Sequence, residues 1–359
     1  MLRVPHYVAS LSPYVPGKPV EELERELGIK EAVKLASNEN PIGPSPLAVA
    51  SLTSDVIAGL NRYPDGGGYY LKNKLAARLG VKGSEIILGN GSNELLDIAV
   101  RTFMEPGDEA VMAWPSFVVY PMAVQAQGCK AVKVDCRDLR HDLPAMADAI
   151  TDKTRMVFIA NPNNPTGTYN TAAEFDAFMD SIPRDVLVVM DEAYFEYVTA
   201  DDYADSMRHF REGRNILILR TFSKIYGLAG LRIGYGIAGA SVLEEMNRIR
   251  EPFNTGTLAQ VAAMAALDDD EHVRRSRQVN GEGMKYLSAE LDRLKLRYVP
   301  SQTNFIFILL DGDSGELYGK LLASGVIARP AGPSALRVTI GLPRENEAFI
   351  RALADVLPK

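Results

Sequence analysis

The sequence predicts an α/β protein in which a mostly parallel sheet is sandwiched between helices and is followed by a smaller α+β domain. From about residue 83 to residue 250, short runs rich in β-branched residues alternate with longer amphipathic stretches. Such alternation is typical of strand–helix–strand units, which build parallel sheets covered on both faces. After residue 250, a helical stretch rich in Arg and Glu precedes an apolar strand pattern, a helix, two short strands and a final helix.

The predicted strands of the sheet follow one another at regular intervals. They are EIILGN, EAVMAW, AVKVDC, RMVFIANP, VLVVMDEAY, NILILRTFS and LRIGYGIA, and helical patterns such as NELLDIAVRTFM lie between most of them. In sheets of this type, ligands bind at the carboxyl ends of the strands. Polar residues fall at those ends, at 90–93, 161–166, 191–194 and 223–224. We therefore expect the functional site at this edge.

Three regions are predicted along the 359 residues, a length that suits about two domains. Residues 1–40 contain four prolines and little periodicity, so we expect an arm that packs on the small domain or on a second subunit. Residues 41–250 would form the large domain. Residues 251–359, with the strand pattern YVPSQTNFIFILL and the short strands VIARP and ALRVTIG, would form the small one.

Composition and charge exclude several classes of protein. The net charge is −7 and no long basic run occurs, so we expect no nucleic-acid partner. Two cysteines and four histidines without metal-type spacing predict neither a metal site nor a disulfide scaffold, and favour a reducing cytoplasm. MLRVPHYVAS lacks an apolar signal core, and no run approaches the about 18 apolar residues of a membrane helix.

Lys224 stands in an unusual setting for a lysine. It directly follows an apolar strand and Ser223, and Arg232 comes eight residues later, after a glycine-rich segment. A lysine desolvated at a strand end has a lowered pKa and can attack a carbonyl to form a Schiff base. A hydroxyl and a guanidinium suit a phosphate. Unless Lys224 is an ordinary loop lysine, this pattern indicates pyridoxal phosphate, a carbonyl compound that bears a phosphate.

A carboxylate is predicted where pyridoxal chemistry needs one. The ring nitrogen must stay protonated, and a carboxylate at the end of a buried strand would hold that proton. VLVVMDEAY supplies Asp191 there, 33 residues before Lys224, although a helix N-cap is the alternative interpretation. Tyr194 and Asn164 of NPNNPTG could hydrogen-bond the phenolic oxygen of the cofactor, although such a segment also suits a simple turn.

A third motif, GNGSNELLD at 89–97, leads from a strand into a helix that begins near Ser92. Free N–H groups and the positive end of the helix dipole would there face an anion. Helix capping alone is the simpler explanation of this composition. Together with Ser223 and Arg232, the motif would complete a phosphate site.

In this order, the motifs resemble those of the fold-type I aminotransferases that use pyridoxal phosphate, and within them those of the histidinol-phosphate aminotransferases. The similarity runs over nearly the whole chain, from SPYVPGKP to LRVTIGLPREN. TFSK-x₃-LAGLRIGY with an upstream NPTG and DEAY is characteristic of the superfamily. KLASNENPIGPSP and RYPDGG narrow the resemblance to the histidinol-phosphate branch.

The resemblance implies a role for each candidate residue. Lys224 would hold the cofactor and transfer the proton, Asp191 would pair with the ring nitrogen, and Tyr194 and Asn164 would face its O3′. The phosphate would be bound by Ser92, Asn93, Ser223 and Arg232, the ring would stack on Phe117, and Tyr63 would reach the partner subunit's cofactor across a homodimer interface. The anionic end of the substrate would be bound by Arg337, Arg329, Tyr14 and Asn164.

The resemblance also implies a reaction. An amino group would pass between histidinol phosphate and 2-oxoglutarate by a ping-pong mechanism, in histidine biosynthesis. The loop PAGPSAL between Arg329 and Arg337 is shorter than in many relatives and lies beside the predicted substrate pocket, so it bears on substrate preference. The alternatives are a broad aromatic aminotransferase and a decarboxylase of the threonine-phosphate type. A nucleotide-binding protein using GNGSNE is a third, disfavoured by the absence of G-x-G-x-x-G and G-x-x-x-x-G-K-[ST].

Overall fold

The computed structural model describes residues 2–357 and contains three sheets, of seven, four and two strands. The strands are β1 (Val33–Lys34), β2 (Ile86–Gly89), β3 (Glu109–Trp114), β4 (Lys130–Asp135), β5 (Thr154–Ala160), β6 (Leu187–Asp191), β7 (Ile216–Thr221), β8 (Gly234–Ile237), β9 (Arg297–Val299), β10 (Phe305–Leu309), β11 (Val326–Ile327), β12 (Arg329–Pro330) and β13 (Ala335–Thr339).

Helices cover both faces of the large sheet and also pack against the four-stranded sheet. They are α1 (His6–Ala9), α2 (Val20–Leu27), α3 (Pro46–Ser51), α4 (Ser54–Ala58), α5 (Tyr69–Leu79), α6 (Ser92–Phe103), α7 (Val119–Ala126), α8 (Leu143–Asp148), α9 (Ala172–Ser181), α10 (Ser206–Arg211), α11 (Ala240–Ile249), α12 (Thr257–Ala266), α13 (Asp270–Arg293), α14 (Ser314–Ala323) and α15 (Pro343–Val356). Short 3₁₀ turns occupy Gly83–Glu85, Phe195–Tyr197 and Ala229–Leu231.

The large sheet has the strand order β2-β8-β7-β6-β5-β3-β4. Only β8 runs antiparallel to its neighbours, and every other pairing is parallel. Each of the seven predicted segments contributes one strand, so the predicted mostly parallel sheet is confirmed. Strands β6 and β7 are buried along their whole length, which explains their continuous runs of Val, Ile and Leu.

Successive residues of a strand point to opposite faces of the sheet, and each face has its own core. Val188 and Met190 of β6 belong to a cluster with residues of α5, α9 and α12, whereas Val189 belongs to a second cluster with residues of α6, α7 and α11. The central strands are therefore covered by helices on both sides. This packing holds the central strands in place and so fixes the position of the last residue of each strand.

The C-terminal part of the chain forms the four-stranded sheet β12-β13-β10-β9 and packs it against α13, α14 and α15. The predicted single strand VIARP is wrong, because β11 pairs with β1 whereas β12 pairs with β13. Ala328, between the two strands, is buried. Residues 33–34 of the predicted arm thus join residues 326–327, while the predicted division at residues 40 and 250 stays a prediction.

The carboxyl ends of β5, β6 and β7 lie side by side at one edge of the large sheet, at Ala160, Asp191 and Thr221. The segments that follow these three residues therefore meet. Within residues 2–357, no helix is long and apolar enough to cross a membrane, and no cluster of His, Cys, Asp or Glu could hold a metal ion.

Candidate active site

A cavity of about 220 Å³ lies at this edge of the sheet. All but two of the predicted site residues line it, namely Tyr14, Ser92, Asn93, Phe117, Asn164, Asp191, Tyr194, Ser223, Lys224, Arg232 and Arg337. Arg329 and Tyr63 do not. Residues from the arm, the large sheet and the four-stranded sheet therefore meet in one place, although they are far apart in sequence.

Lys224 presents its amine inside this cavity. The Nζ atom donates a hydrogen bond of 3.3 Å to the carbonyl oxygen of Ser37. Burial first, and then the charges of Arg337 and Arg232, lower the pKa of Lys224 to about 8, while Glu39 and Asp191 act in the opposite direction. About a tenth of the amine is therefore uncharged, and nucleophilic, at pH 7, against far less than a hundredth for an ordinary lysine.

Asp191 ends β6 with its carboxylate buried. One oxygen accepts a hydrogen bond of 2.8 Å from the hydroxyl of Tyr120, and the other accepts one of 3.2 Å from the backbone N–H of Ala193. Burial raises the pKa of Asp191, whereas these two hydrogen bonds lower it. The next α-helix begins only at Ser206, so Asp191 caps no helix.

An anion site forms where α6 begins. Gly91 precedes the helix with φ of 75° and gives it no side-chain cap, so the first N–H groups of α6 keep no side-chain acceptor. Arg232 donates to Ser223 Oγ at 3.3 Å and to the carbonyl of Ala229 at 3.0 Å. A Cβ atom at Gly91 would lie 2.5 Å from Arg232 Nη2, so only glycine lets the guanidinium approach the helix start this closely. Helix dipole, guanidinium and hydroxyl together suit a dianion such as phosphate.

Tyr194 lines the cavity beside Lys224, and its hydroxyl accepts a hydrogen bond of 2.8 Å from Asn38 Nδ2. Burial raises the pKa of Tyr194 to about 12, so the phenol keeps its proton at physiological pH. Asn38 is held in turn by Thr339 of β13, whose hydroxyl accepts from the Asn38 backbone N–H at 2.9 Å. The predicted position of Tyr194 in the cavity is thus fixed by a residue of the arm.

Arg337 and Asn164 form one unit. Arg337 Nη1 donates to Asn164 Oδ1 at 2.6 Å, and Nη2 donates to the carbonyl of Ala36. The Nε atom is buried and has no hydrogen-bond partner among residues 2–357. Burial lowers the pKa of Arg337 from its ordinary value, but a guanidinium remains charged at physiological pH. Its orientation is therefore set before any substrate anion binds.

Arg329 lies next to Arg337 but outside the first cavity. The two residues are paired across β12 and β13. Arg329 Nη1 donates to the carbonyl of Val15 at 2.8 Å, and its guanidinium lies 5.3 Å from the ring of Tyr14. Tyr14, Arg329 and Arg337 also line an adjoining cavity of about 580 Å³. Arg329 thus holds the arm beside this adjoining cavity.

Tyr63 stands apart from the other predicted site residues. Its side chain is 82% exposed and stacks on Phe253, with ring centroids 4.6 Å apart. Tyr69 and Tyr70 nearby are also exposed. Within a single chain, Tyr63 therefore contributes nothing to the cavity.

Two residues that line the cavity and hydrogen-bond predicted site residues were missed by sequence reasoning. Tyr120 hydrogen-bonds Asp191 but lies on α7, which carries no strand-end or glycine-rich signal. Asn38 lies in KLASNENPIGPSP, and its φ of 56° is the local feature that sets it apart. Both contacts join residues more than 70 positions apart, so no local pattern could predict them.

The family model described as Aminotransferase class I and II matches residues 30–353. The chain is 54% identical to a histidinol-phosphate aminotransferase of Moorella thermoacetica, over 98% of this chain and 92% of that protein. It is 50% identical to histidinol-phosphate aminotransferase 2 of Pseudomonas fluorescens, over 98% and 96%. The structure of histidinol-phosphate aminotransferase from Sinorhizobium meliloti in complex with pyridoxal-5'-phosphate matches with a TM-score of 0.91 at 28% identity, covering 99% of this chain and 98% of that one.

These matches extend over nearly the full length of the chain, and the structural match includes both the large sheet and the four-stranded sheet. They exclude the alternative of a nucleotide-binding protein with GNGSNE as its phosphate loop. The chain belongs to the class I and II aminotransferase family.

Proposed function

We propose that this protein is a pyridoxal-phosphate-dependent histidinol-phosphate aminotransferase. It would transfer an amino group between L-histidinol phosphate and 2-oxoglutarate, giving imidazole-acetol phosphate and L-glutamate. The observation that carries the proposal is the meeting of the low-pKa amine of Lys224, the buried carboxylate of Asp191 and the anion site at Arg232 in one cavity. The names of relatives about 50% identical over almost the whole chain give the substrate.

The cavity fits pyridoxal phosphate by the chemistry of its donors. Gly91 leaves room for the Arg232 guanidinium beside the first turn of α6, which suits the phosphate. Lys224 would bind the carbonyl carbon and Asp191 the ring nitrogen. When bound, pyridoxal phosphate supplies an electron sink for the negative charge that develops at the substrate α-carbon.

The protein's own groups would then control protons and position. Asp191 would keep the ring nitrogen protonated, and Tyr120 would hold that carboxylate in place by its 2.8 Å hydrogen bond. Tyr194 and Asn164 would donate to the phenolic oxygen, and Phe117 would cover one face of the ring. Lys224, once released, would carry the proton between the substrate α-carbon and the carbon that receives it, because its pKa of about 8 allows both states.

A single pocket must accept two unlike donors. Arg337 can bind either a carboxylate or a phosphate, since both are oxyanions that fit a guanidinium fork. Arg329 and Tyr14, which line the adjoining cavity, would add contacts for the larger, more highly charged phosphate. The adjoining cavity of about 580 Å³ leaves room for the imidazole group, but it also suits an aromatic ring. A broad aromatic aminotransferase is therefore the second candidate.

We also propose that the enzyme is a cytoplasmic homodimer with shared active sites. Tyr63 is the predicted phosphate ligand that lies outside its own chain's cavity, and it is 82% exposed. Tyr69 and Tyr70 enlarge this exposed aromatic surface. A second subunit covering it would bury the aromatic rings and bring Tyr63 to the partner's site.

The first prediction concerns Lys224. Cofactor binding by the apoprotein should accelerate from pH 7 to pH 9 with a midpoint near 8, because the uncharged amine is the nucleophile and its pKa is about 8. Stopped-flow absorbance would follow the binding, and peptide mapping after borohydride treatment should find the cofactor fixed to Lys224. Attachment to another lysine, or a midpoint near 10.5, would contradict the assignment.

The second prediction concerns Asp191. Asp191→Asn should keep the cofactor but lose about 3–5 kcal/mol of transition-state stabilisation, because a neutral amide cannot hold the ring nitrogen protonated. Steady-state kinetics would measure the loss, roughly two to four decades in kcat.

Tyr120→Phe is the matched control for Asp191→Asn. It keeps the carboxylate but removes a hydrogen bond that lowers the pKa of Asp191, so that pKa rises and the acidic limb of the pH–rate profile moves to higher pH. Near-normal turnover of Asp191→Asn would remove Asp191 from the mechanism.

The third prediction concerns Tyr63. Mixing an inactive Tyr63 variant with inactive Lys224→Ala should restore activity, since half of the hybrid dimer's sites would be intact. Subunit exchange would be followed by mass spectrometry of differently tagged chains, and Phe253→Ala, which removes the ring that Tyr63 stacks on, would serve as the comparison. Exchange without recovered activity would assign Tyr63 to its own subunit's site or to no site.

The fourth prediction tests the substrate. Histidinol should be at least ~100-fold poorer than histidinol phosphate in kcat/KM, because charge-assisted hydrogen bonds to the phosphate contribute roughly 1.5–3 kcal/mol each. Arg329→Ala should weaken histidinol phosphate more than phenylalanine, whose carboxylate Arg337 can bind alone.

Arg297→Ala, an exposed arginine of the same sheet that pairs with Asp311, is the control for Arg329→Ala and should change neither donor. If phenylalanine or tyrosine is the better donor and Arg329→Ala affects all donors equally, the aromatic aminotransferase is the correct function.

A further inference from the structure

A second cavity, of about 380 Å³, shares none of the lining residues of the candidate active site. It is bounded by α5, the start of α13, the turn after Tyr194 and the segment 220–235. Its volume falls within the range of small-molecule pockets, roughly 300–1,000 Å³. No role in transamination falls to its side chains.

Most charges around this second cavity are already paired. Arg220 binds Glu192 at 2.8 Å, Arg78 binds Asp270 at 3.0 Å, and Arg274 binds a glutamate of its own helix. The Arg220–Glu192 pair is buried, whereas the other two pairs are exposed. The charges that remain are those that can bind a ligand without breaking an existing pair.

Two opposite charges remain without an ion pair within residues 2–357. Glu196 is 8% exposed and makes no salt bridge, and its Oε2 atom has no hydrogen-bond partner. Arg277 makes no salt bridge and donates only its Nε–H, to the backbone carbonyl of Glu196. A buried carboxyl oxygen without a partner is costly, and native proteins rarely keep one without a use.

The remaining wall is aromatic and apolar. Phe195 presents a ring that also contacts the Arg220 guanidinium, 3.7 Å from its centroid, and the ring of Tyr203. The rings of Tyr226 and Tyr235 continue the surface. Val273 and Leu267 complete it. One carboxyl, one guanidinium and an apolar wall are the three features that recognise a free amino acid.

We propose that this second cavity binds an α-amino acid with an apolar or aromatic side chain, its ammonium at Glu196 and its carboxylate at Arg277. The site is separate from the one that carries the amino-transfer chemistry. Its walls nevertheless belong to the same two segments, because Glu196 follows Tyr194 by two residues and Tyr226 follows Lys224 by two. An amino acid bound there contacts the segments that hold the active-site side chains in position.

The protonation of Glu196 gives the binding a pH dependence. Burial, with a smaller contribution from Glu192, raises the pKa of Glu196 to about 7, while Arg220, the residue's own backbone N–H and Arg277 act in the opposite direction. Four tyrosine phenols interact electrostatically with Glu196. Their pKa values are raised, so they stay neutral; they belong to Tyr197, Tyr203, Tyr226 and Tyr235. Since the carboxylate must be ionised to bind an ammonium, affinity should rise about tenfold from pH 6 to pH 8.

Isothermal titration of the full-length protein, treated with borohydride so that no amino group is transferred, tests the site. The probes are L-phenylalanine, L-histidine and L-leucine, with 3-phenylpropionate and phenethylamine as analogues that each lack one charge. At least one amino acid should bind once per chain, with both analogues at least tenfold weaker, the scale of one charge-assisted hydrogen bond. Absence of binding by all three amino acids at millimolar concentration, from pH 6 to pH 8, overturns the proposal.

Variants separate this site from the active site. Arg277→Gln should weaken binding at least tenfold and leave kcat unchanged without added amino acid, whereas Arg275→Gln, the neighbouring arginine outside the cavity, should change neither. Glu196→Gln should abolish the pH dependence of binding. If Glu196→Gln does not fold, Arg277→Gln still tests the site, because Arg277 is exposed. Binding that survives Arg277→Gln but disappears in Arg337→Gln would belong to the active site and overturn the proposal.

Discussion

The burial of Lys224 among cationic neighbours is the constraint on which the rest of the site depends. Its ammonium form is destabilised by desolvation first and by Arg337 and Arg232 next, which together leave a pKa of about 8. The same guanidinium groups attract oxyanions. One set of side chains therefore keeps the amine reactive and binds anionic groups around it, so the charges that make the lysine costly to bury are also the charges that the proposed ligands need.

The topology of the large sheet explains why these groups meet. Parallel strands β6 and β7 deliver Asp191 and the segment of Lys224 to one edge because both run in the same direction. The antiparallel β8 returns the chain beside β2, with Gly234 opposite Gly89. Arg232, just before β8, thereby reaches Gly91, just after β2. A parallel strand in the place of β8 would start at the other edge and leave the anion site without its guanidinium.

Local signals predicted the seven strands and the strand-end residues Asp191, Ser223 and Lys224, whereas Phe117 and Arg337 were predicted by the family resemblance. An apolar run followed directly by a polar residue indicates a strand end, and strand ends meet in a parallel sheet. Tyr120 and Asn38 could not be found in this way, since each reaches the site from a distant helix or arm. The splitting of VIARP was equally inaccessible, because β11 pairs with an arm strand almost 300 residues away.

The arm connects the two larger sheets at the site itself. Leu35 donates to Ile327 at 2.7 Å and accepts from Thr339 at 2.8 Å, so residues 35–38 are attached to the C-terminal part of the chain. The Asn38–Tyr194 and Ser37–Lys224 hydrogen bonds then cross to the large sheet, as does the Arg337–Asn164 pair. Any displacement of the four-stranded sheet relative to the large one must alter these three contacts together. An anion bound at Arg337 is therefore coupled mechanically to the residues proposed to hold the cofactor.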